Sequence, residues 1–324
     1  MPERIGAQLG NYQLIQFLGA GSFAEVYLGG HIHLGTLAAI KLLRRQLASE
    51  DFQTFRMEAR LLAHLIHPHI VRVLEFGIED NLPFLVMDFA PHGTLRQRHS
   101  KGMPLALPTV ISYVKQVADA LQCAHDERLI HRDVKPENML LGRGHEVLLS
   151  DFGIAILMQS ANLQPSAETA GTMVYMAPEQ IRGRPCLASD QYSLAIVVYE
   201  WLCGRPPFQG SSALKVAKKQ LSDPPPPLRA FVPSVSPAIE QVVLRALTKD
   251  PQGRFESVQE FAAALERASF SDESSARASP ALQTENPLSL QTAASSSDGS
   301  LTTLPSGPSV DRMPSLEKEL GDEG

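Results

Sequence analysis

The sequence predicts an α+β fold of two lobes followed by a disordered tail, and three observations support this. Short apolar or alternating runs broken by Gly, Asn and Pro dominate residues 12–90, which is typical of strands. Beyond Pro104, apolar residues recur mostly at helical spacing. From Ser271 onward there is no Phe, Tyr or Trp, and there are twelve serines. We therefore expect a small β-rich lobe at about 12–90, a larger helical lobe at about 91–268, and a disordered Ser/Pro-rich acidic tail at 269–324.

The small lobe is predicted to contain five strands and one helix. The strands correspond to the runs NYQLIQFLG, AEVYLGG, TLAAIKLL, VRVLEFGI and PFLVMDF. The helix is indicated by an apolar stripe at spacings of three and four residues, formed by Phe52, Phe55, Ala59, Leu62 and Ile66. We expect Pro68 to end this helix.

The larger lobe is predicted to contain long amphipathic helices. They correspond to LPTVISYVKQVADALQCAHDERL, ASDQYSLAIVVYEWLCG, PAIEQVVLRALTKDP and SVQEFAAALERA. Gly204 stands at the end of the second helix, where a glycine C-cap is expected. The proline run in DPPPPLRAFVP predicts a surface connection.

Charge and cysteine content exclude several classes of protein. The net charge of −6 lies in the tail, which has nine acids and three bases, so residues 1–270 hold 26 of each sign and give no reason to expect a nucleic-acid partner. Cys123, Cys186 and Cys203 form no CxxC pair, which favours a reducing compartment. The first residues contain no apolar h-region, so we expect no secretory signal, and the longest apolar run, LAIVVY, is too short to span a bilayer. We expect a soluble, cytoplasmic protein with no membrane segment.

A glycine-rich turn follows the first predicted strand in LGAGSFAEVY. Gly19, Gly21 and Ala24 match the G-x-G-x-x-[GA] dinucleotide fingerprint, but that site needs a helix after the glycines and an acid about twenty residues later. Here a strand-like run follows, and Lys41 stands twenty positions after Gly21. A glycine turn between two strands fits a flap that covers phosphates, because glycine lets backbone N–H groups approach phosphate oxygens closely. An ordinary hairpin turn explains this loop equally well.

Lys41 ends an apolar strand, where a lysine is costly unless it is paired. Glu58 follows seventeen residues later on the predicted helix, and it could hold the ammonium group where it reaches the α- and β-phosphates of a nucleotide. Two solvated surface charges are the alternative interpretation.

Further motifs follow in a fixed order: HRDVKPEN, DFG at Asp151–Gly153 and APE at Ala177–Glu179. With the two features above, the sequence resembles the protein-kinase family from about Tyr12 to Arg267. The run SDQYSLAIVVYEWLCGRPPF is most similar to the bacterial, eukaryotic-like (Hanks-type) serine/threonine members. The resemblance implies a bilobal protein-kinase-like fold, ATP and Mg²⁺ as cofactors, and transfer of phosphate to Ser/Thr hydroxyls of proteins, including the chain itself.

The resemblance also assigns roles in catalysis, some of which have a clear chemical reason. Asp133 would orient the acceptor hydroxyl and take its proton, and Lys135 would reach the γ-phosphate. Asn138 and Asp151 would hold Mg²⁺, which prefers hard oxygen ligands. Lys135 is the lysine that serine/threonine-specific members carry, and Thr172 resembles their Ser/Thr marker.

The expected nucleotide site comprises the glycine loop, apolar residues around adenine, the hinge and the phosphate-binding lysine. These residues are Leu18, Gly19, Ala20, Gly21, Ser22, Phe23, Val26, Ala39, Lys41, Met87, Asp88, Ala90 and Leu140. By the resemblance, Met87 guards the back of the adenine pocket, and Val26, Ala39 and Leu140 sandwich the base. Core packing explains each apolar residue equally well when it is taken alone.

Two supporting interactions are implied by the resemblance. Glu179 should pair with Arg254, and Asp190 should support the backbone of the catalytic loop.

The third glycine of the glycine loop is replaced by Ala24, for which we expect a modest effect. His64, His67 and His69 lack a fourth ligand, so we interpret HLIHPH as a turn and not as a metal site.

We expect the segment from Asp151 to Glu179 to regulate kinase activity. Arg132 marks family members in which a phosphate orders this segment. The hydroxyls considered for phosphorylation are those of Ser160, Ser166, Thr169 and Thr172. Glu168 could instead mimic a phosphate. A pseudokinase scaffold is the alternative function, but none of the five groups Lys41, Glu58, Asp133, Asn138 and Asp151 is missing, which favours catalysis.

Overall fold

The computed structural model describes residues 4–21, 24–44, 51–152 and 173–277. The side chains of residues 51, 52, 54, 55, 58 and 271–277 are outside this description. All described residues belong to the first of two compact units, residues 1–279. The second unit, residues 280–324, lies outside the described residues, and so does most of the tail that we predict to be disordered.

In the residues that the structure describes, the small lobe is a six-stranded antiparallel sheet with one helix. The strands are β1 (Gln8–Leu9), β2 (Tyr12–Ala20), β3 (Ala24–His31), β4 (Leu37–Leu43), β5 (Val73–Glu79) and β6 (Leu82–Asp88), in the spatial order β1-β2-β3-β4-β6-β5. Helix α1 (Asp51–His64) lies between β4 and β5 in the chain. The five predicted strands are therefore confirmed, and β1 is an additional short strand.

Strand β4 shows how the sheet separates its two faces. Ala38, Ile40 and Leu42 are buried on one face, while Ala39 and Lys41 alternate with them and are only half-buried. The buried face forms a core with Tyr27, Phe84 and other residues of the sheet. The half-buried face, with Ala39 and Lys41, is the one that faces the cleft between the lobes.

Helix α1 ends earlier than its apolar stripe predicts. Ala59 and Leu62 are buried, but the helix stops at His64, and Ile66 beyond it is 69% exposed. Leu65 takes the buried position instead, because its N–H bonds to the carbonyl of Leu62 and tightens the last turn. The prediction that Ile66 continues the stripe as far as Pro68 was therefore wrong.

The larger lobe is built from helices around a two-stranded hairpin. Within residues 91–152 and 173–277, its α-helices and strands are α2 (Leu95–Arg98), α3 (Leu107–Asp126), β7 (Met139–Leu141), β8 (Val147–Leu149), α4 (Pro178–Ile181), α5 (Leu187–Cys203), α6 (Ala213–Ser222), α7 (Pro237–Ala246) and α8 (Val258–Arg277). Every residue of α5 from Ser189 to Leu202 is buried, so this helix is the centre of the lobe. In the described part of the chain, no helix is both long enough and apolar enough to cross a membrane.

The last helix runs past the predicted domain end at residue 268. Residues 269–277 are helical in α8, although the composition places them in the tail. The segment ASFSDESSAR contains no Gly or Pro that would break the helix before Arg277. Helix α8 therefore continues further along the chain than the aromatic content indicates.

We expect Gly204→Ala to destabilise the fold more than Gly183→Ala. Both glycines have positive φ, 71° and 76°, where an alanine costs roughly 1–2 kcal/mol. At Gly204 an added Cβ would also lie 2.8 Å from the backbone oxygen of Gly102, whereas at Gly183 it would meet nothing within 4 Å. The free energies of unfolding, measured by denaturant titration, test this. Equal losses in the two variants would contradict the packing argument.

Candidate active site

The hairpin β7–β8 brings the two predicted metal ligands together. Met139 pairs with Leu149, so Asn138 and Ser150 face each other at the open end of the hairpin. The Ser150 N–H donates to the Asn138 carbonyl over 2.9 Å, and Ser150 Oγ donates to the same oxygen over 3.1 Å. Asp151 follows directly, so it lies beside Asn138 although thirteen positions separate the two residues in the chain.

Asp133 is held by both polar partners that the sequence places near it. Asn138 Nδ2 donates to the backbone oxygen of Asp133 over 2.8 Å and to its Oδ2 over 2.9 Å. Lys135 Nζ lies 2.7 Å from the same Oδ2. Because its nitrogen is turned to Asp133, Asn138 presents Oδ1 as its acceptor atom. The loop therefore gathers a carboxylate, a cation and an amide oxygen within hydrogen-bonding reach of one another.

Asp190 of α5 holds the backbone of this loop through hydrogen bonds. The buried Asp190 carboxylate accepts hydrogen bonds from the N–H groups of His131 and Arg132, each over 2.8 Å, and from His125 Nε2 over 2.8 Å. Arg132 has a φ of 68°, a strained conformation that these bonds stabilise. The predicted support of the loop by Asp190 is confirmed.

His131 is a site residue that the sequence analysis missed. It is completely buried, and its Nε2 donates to the Ser150 carbonyl over 2.8 Å. Its Nδ1 accepts from the Asp133 N–H over 3.2 Å, and its ring packs on Phe152. His131 therefore connects the Asp133 loop to the Asp151 segment. Its position directly before Arg132 and Asp133 was the available signal.

Lys41 extends from the half-buried face of β4 and reaches Asp151. Its Nζ lies 2.7 Å from Asp151 Oδ1. Burial by itself raises the pKa of the Asp151 carboxyl, but the positive charge of Lys41 and its hydrogen bond outweigh this and hold the pKa below its ordinary value of 3.8. Asp151 is therefore an anion, the form in which a carboxyl group binds a metal ion. The Glu58 side chain lies outside the described residues, so its pairing with Lys41 stays a prediction.

The glycine turn connects two antiparallel strands, as predicted. Gly19 pairs with Val26 across β2 and β3, and the Gly21 N–H bonds to the Ala24 carbonyl over 2.9 Å. A strand follows the turn and not a helix, which excludes the dinucleotide fingerprint. Among the described residues, a Cβ added to Gly19 or Gly21 would meet nothing within 4 Å, so the space beside this backbone is open there. Ser22 and Phe23, also predicted to bind nucleotide, lie outside the described residues.

The back of the cleft is closed by Met87. It pairs with Ala39 across β4 and β6 and is buried. Behind it lies a small, mostly apolar cavity of about 20 Å³, lined also by Leu85, Asp151 and Phe152. This space holds no more than about one water molecule, so adenine would have to lie in front of Met87.

The other residues predicted to bind adenine are distributed around this cleft. Val26 and Ala39 are half-buried on the two neighbouring strands β3 and β4, and Leu140 is half-buried on β7. Asp88, the exposed last residue of β6, and residues 89–90 lead to the larger lobe, and Ala90 is buried. Leu18 and Ala20 are exposed at the end of β2. The binding roles of these residues stay predictions.

The predicted pair of Glu179 and Arg254 is present and buried. Arg254 Nη1 and Nη2 donate to the two carboxylate oxygens over 2.8 and 2.9 Å, and Ser189 Oγ adds a third bond over 2.7 Å. This bidentate pair fastens α4, which follows the segment 153–172, to the segment between α7 and α8. The expected phosphorylation residues Ser160, Ser166, Thr169 and Thr172 and the expected mimic Glu168 lie outside the described residues.

The histidines after α1 form the predicted turn. His69 N–H donates to His67 Nδ1 over 3.1 Å, and the Ile70 N–H bonds to the His67 carbonyl over 3.1 Å. The Nδ1 of His69 donates to the Val147 carbonyl over 2.9 Å. The turn therefore attaches the segment after α1 to β8, the strand that ends two positions before Asp151.

Comparisons with known proteins agree with this geometry. Residues 12–265 match the family described as "Protein kinase domain". The chain is 35% identical over 266 residues to the serine/threonine-protein kinase PrkC of Bacillus subtilis, covering 81% of this chain and 41% of PrkC. It is 38% identical over 271 residues to Pkn1 of Myxococcus xanthus, covering 81% of this chain and 39% of Pkn1. For PknF of Mycobacterium tuberculosis the identity is 37% over 278 residues, covering 82% and 58%. The chain thus spans less than two thirds of each of these relatives.

Proposed function

The chain belongs to the protein kinase family, and on that premise we propose that it is a serine/threonine protein kinase. It transfers the γ-phosphate of ATP to Ser or Thr hydroxyls of proteins, including its own. The observation that carries the proposal is the arrangement of Asp133, Lys135 and Asn138 beside Asp151 and Lys41. The names of the relatives, which are serine/threonine-protein kinases, support the same function.

The residues present fit a divalent cation and a triphosphate. Asn138 Oδ1 and the Asp151 carboxylate are hard oxygen ligands, which Mg²⁺ prefers, and the low pKa of Asp151 keeps it charged. Mg²⁺ bound there would neutralise and orient the phosphates. Lys41 would bind phosphate oxygens, and the open backbone at Gly19 and Gly21 would cover them.

Asp133 performs the proton chemistry in this proposal. The acceptor hydroxyl donates to the Asp133 carboxylate, its oxygen bonds to the γ-phosphorus, and the bond from that phosphorus to the β–γ bridging oxygen breaks. The hydroxyl proton passes to Asp133, and ADP leaves with the bridging oxygen. Lys135, 2.7 Å from Asp133 Oδ2, stabilises the charge on the transferred group.

Self-phosphorylation in the segment 153–172 is part of the proposal. Arg132 Nε is buried and has no hydrogen-bond partner among the described residues, so its guanidinium retains capacity to bind an anion. A phosphate on Ser160, Ser166, Thr169 or Thr172 is the anion that we propose. We also place the protein in the cytoplasm, where ATP is available and thiols stay reduced, since Cys123, Cys186 and Cys203 are free.

Incubation with γ-labelled ATP, Mg²⁺ and a generic basic protein tests the proposed function. We expect label on Ser and Thr of the acceptor and of the chain, and no label after the metal is chelated. Nucleotide binding without any transfer would support a pseudokinase scaffold and contradict the proposal. Absence of both binding and transfer would contradict nucleotide chemistry at this cleft altogether.

We expect Lys41→Met to lower kcat/KM for ATP by about 10²–10³-fold, because one charge that stabilises the phosphates is lost. The matched control is Lys101→Met, since Lys101 is exposed in the loop before α3. Steady-state kinetics at varied ATP concentrations measures both variants. If Lys41→Met keeps a rate close to that of Lys101→Met, Lys41 does not act on the nucleotide.

A further inference from the structure

A mostly buried cluster of one cation and three acceptors lies next to the catalytic loop. The cation is Arg96 on α2. Its Nε donates to Glu137 Oε1 over 2.8 Å, its Nη1 donates to Glu200 Oε1 over 2.8 Å, and its Nη2 donates to the Tyr175 hydroxyl over 2.5 Å. The Tyr175 hydroxyl in turn donates to Glu200 Oε2 over 2.5 Å. All three nitrogens of one guanidinium are therefore engaged with different side chains.

Burial makes this cluster rigid. Glu200 is 4% exposed and Tyr175 is 5% exposed, and the Arg96 side chain is mostly buried. Hydrogen bonds between charged groups are short and strong where water is excluded. Burial raises the pKa of Tyr175 well above its ordinary value, and the nearby Glu200 raises it further, so its hydroxyl stays protonated and can donate. Arg96, Tyr175 and Glu200 cannot turn away without leaving buried polar atoms without their partners, whereas the Glu137 side chain is 38% exposed and lies at the edge of the cluster.

The four residues come from four different parts of the site. Arg96 follows the hinge, and Glu137 directly precedes Asn138, which bonds to Asp133. Glu200 lies on α5, the same buried helix whose Asp190 supports the catalytic loop. Tyr175 belongs to residues 173–177, the short segment that leads into α4. One guanidinium thus fixes this segment, the catalytic loop and the hinge side of the lobe relative to one another.

The segment and the catalytic loop are also joined at a second point. Gln180 Nε2 on α4 donates to the Arg132 carbonyl over 2.6 Å, one residue before Asp133. The two connections, through Gln180 and through Arg96, place residues 173–180 along one side of the loop that carries Asp133. A protein acceptor whose hydroxyl reaches Asp133 must pass the surface that this loop and segment form together. None of the residues predicted to bind nucleotide takes part in the Arg96 cluster.

We propose that Arg96 is a positioning residue for the phosphate acceptor. By holding Tyr175 and Glu137 at once, it sets the position of the segment 173–177 relative to Asp133, and it acts on the acceptor and not on the nucleotide. The inference deepens the proposed function and rests on it. The guanidinium is required because its planar fork donates in three directions, which the ammonium of lysine cannot match in the same geometry.

Three variants test the inference: Arg96→Lys, Tyr175→Phe and the control Arg98→Lys. Arg98 is exposed on the same short helix. Tyr175→Phe keeps the ring and removes only the hydroxyl, so it still reports if Arg96→Lys fails to fold. The measurements are kcat/KM for a protein acceptor, nucleotide affinity and thermal stability of each variant.

We expect Arg96→Lys to lower kcat/KM for the acceptor by about 10–100-fold, since small misplacements near the reacting groups have effects up to this size. Tyr175→Phe should act in the same direction with a smaller effect, and nucleotide affinity should stay within about twofold in both variants, because no nucleotide contact is touched. Arg98→Lys should match the unmodified chain. An unmodified chain that transfers no phosphate would overturn the proposed function, and this inference with it. If the unmodified chain is active but Arg96→Lys and Tyr175→Phe leave kcat/KM for the acceptor unchanged, this inference alone is overturned. A fall in nucleotide affinity as large as the fall in kcat/KM for the acceptor would also overturn it alone.

Discussion

Replacing Asp133 by asparagine should lower kcat by about 10²–10⁴-fold, the size of a general-base contribution, and should leave nucleotide affinity unchanged. Asparagine has the same shape and can still accept hydrogen bonds from Lys135 and Asn138, so the loop should keep its geometry. It cannot take the proton of the acceptor hydroxyl. Steady-state kinetics gives kcat, and calorimetric titration with nucleotide gives the affinity.

The control for this variant is Asp80→Asn. Asp80 is exposed in the turn between β5 and β6 with a φ of 52°, a conformation that asparagine adopts readily. It lies outside the candidate active site, so its rate should equal that of the unmodified chain. If Asp133→Asn retained the rate of this control, Asp133 would not be the proton acceptor.

Glu179→Gln should destabilise the fold by about 3–5 kcal/mol, because it leaves the charge of Arg254 buried without its partner. The Arg254 side chain is 0% exposed and also donates to the carbonyls of Thr248, Ala188 and Lys249, so it cannot move to water. For a domain of this size the loss corresponds to a decrease in Tm of about 6–20 °C. Denaturant and thermal unfolding measure both quantities.

A surface pair is the matched control, and pH gives an independent check. Lys115 and Glu266 are 2.8 Å apart but 50% and 31% exposed, so Glu266→Gln should cost less than about 1 kcal/mol of folding stability.

Burial raises the pKa of Glu179, but hydrogen bonds from Arg254 and Ser189 outweigh this effect and hold the pKa below its ordinary value of 4.5. A lowered pKa in the folded state stabilises the fold above pH 4.5, and this stabilisation is lost as pH falls through the folded-state value. The difference between the unmodified chain and Glu179→Gln should therefore narrow in acid, and equal losses in the two variants at neutral pH would contradict the account.

The sequence predicted the parts of the fold that depend on local pattern. The strands are short, and Gly, Asn or Pro interrupts them, so their limits were visible without tertiary information. The adjacency of Asn138 and Asp151 is local too, since a single hairpin brings them together. The end of α1 was not visible, because Leu65 and Ile66 are both apolar and only the last turn decides which one is buried.

Contacts between distant residues were harder to predict. Lys41 reaches Asp151 across the two lobes, and periodicity carries no information about such a pair. Arg96 stands in the short polar run LRQR, which resembles an exposed turn, and its partners follow 41, 79 and 104 positions later. The pair of Glu179 and Arg254 is equally distant, but it was predicted because the motifs around both residues resemble the family.

The central claim is that the cleft between the glycine turn and the catalytic loop holds Mg²⁺ and ATP opposite Asp133. A crystal structure of the chain with Mg²⁺ and a non-hydrolysable ATP analogue tests it most directly. We predict that Asn138 Oδ1 and a carboxylate oxygen of Asp151 lie about 2.0–2.1 Å from the same or adjacent metal ions, with Lys41 on the phosphates. A nucleotide bound elsewhere, or a metal that neither Asn138 nor Asp151 contacts, would contradict the account.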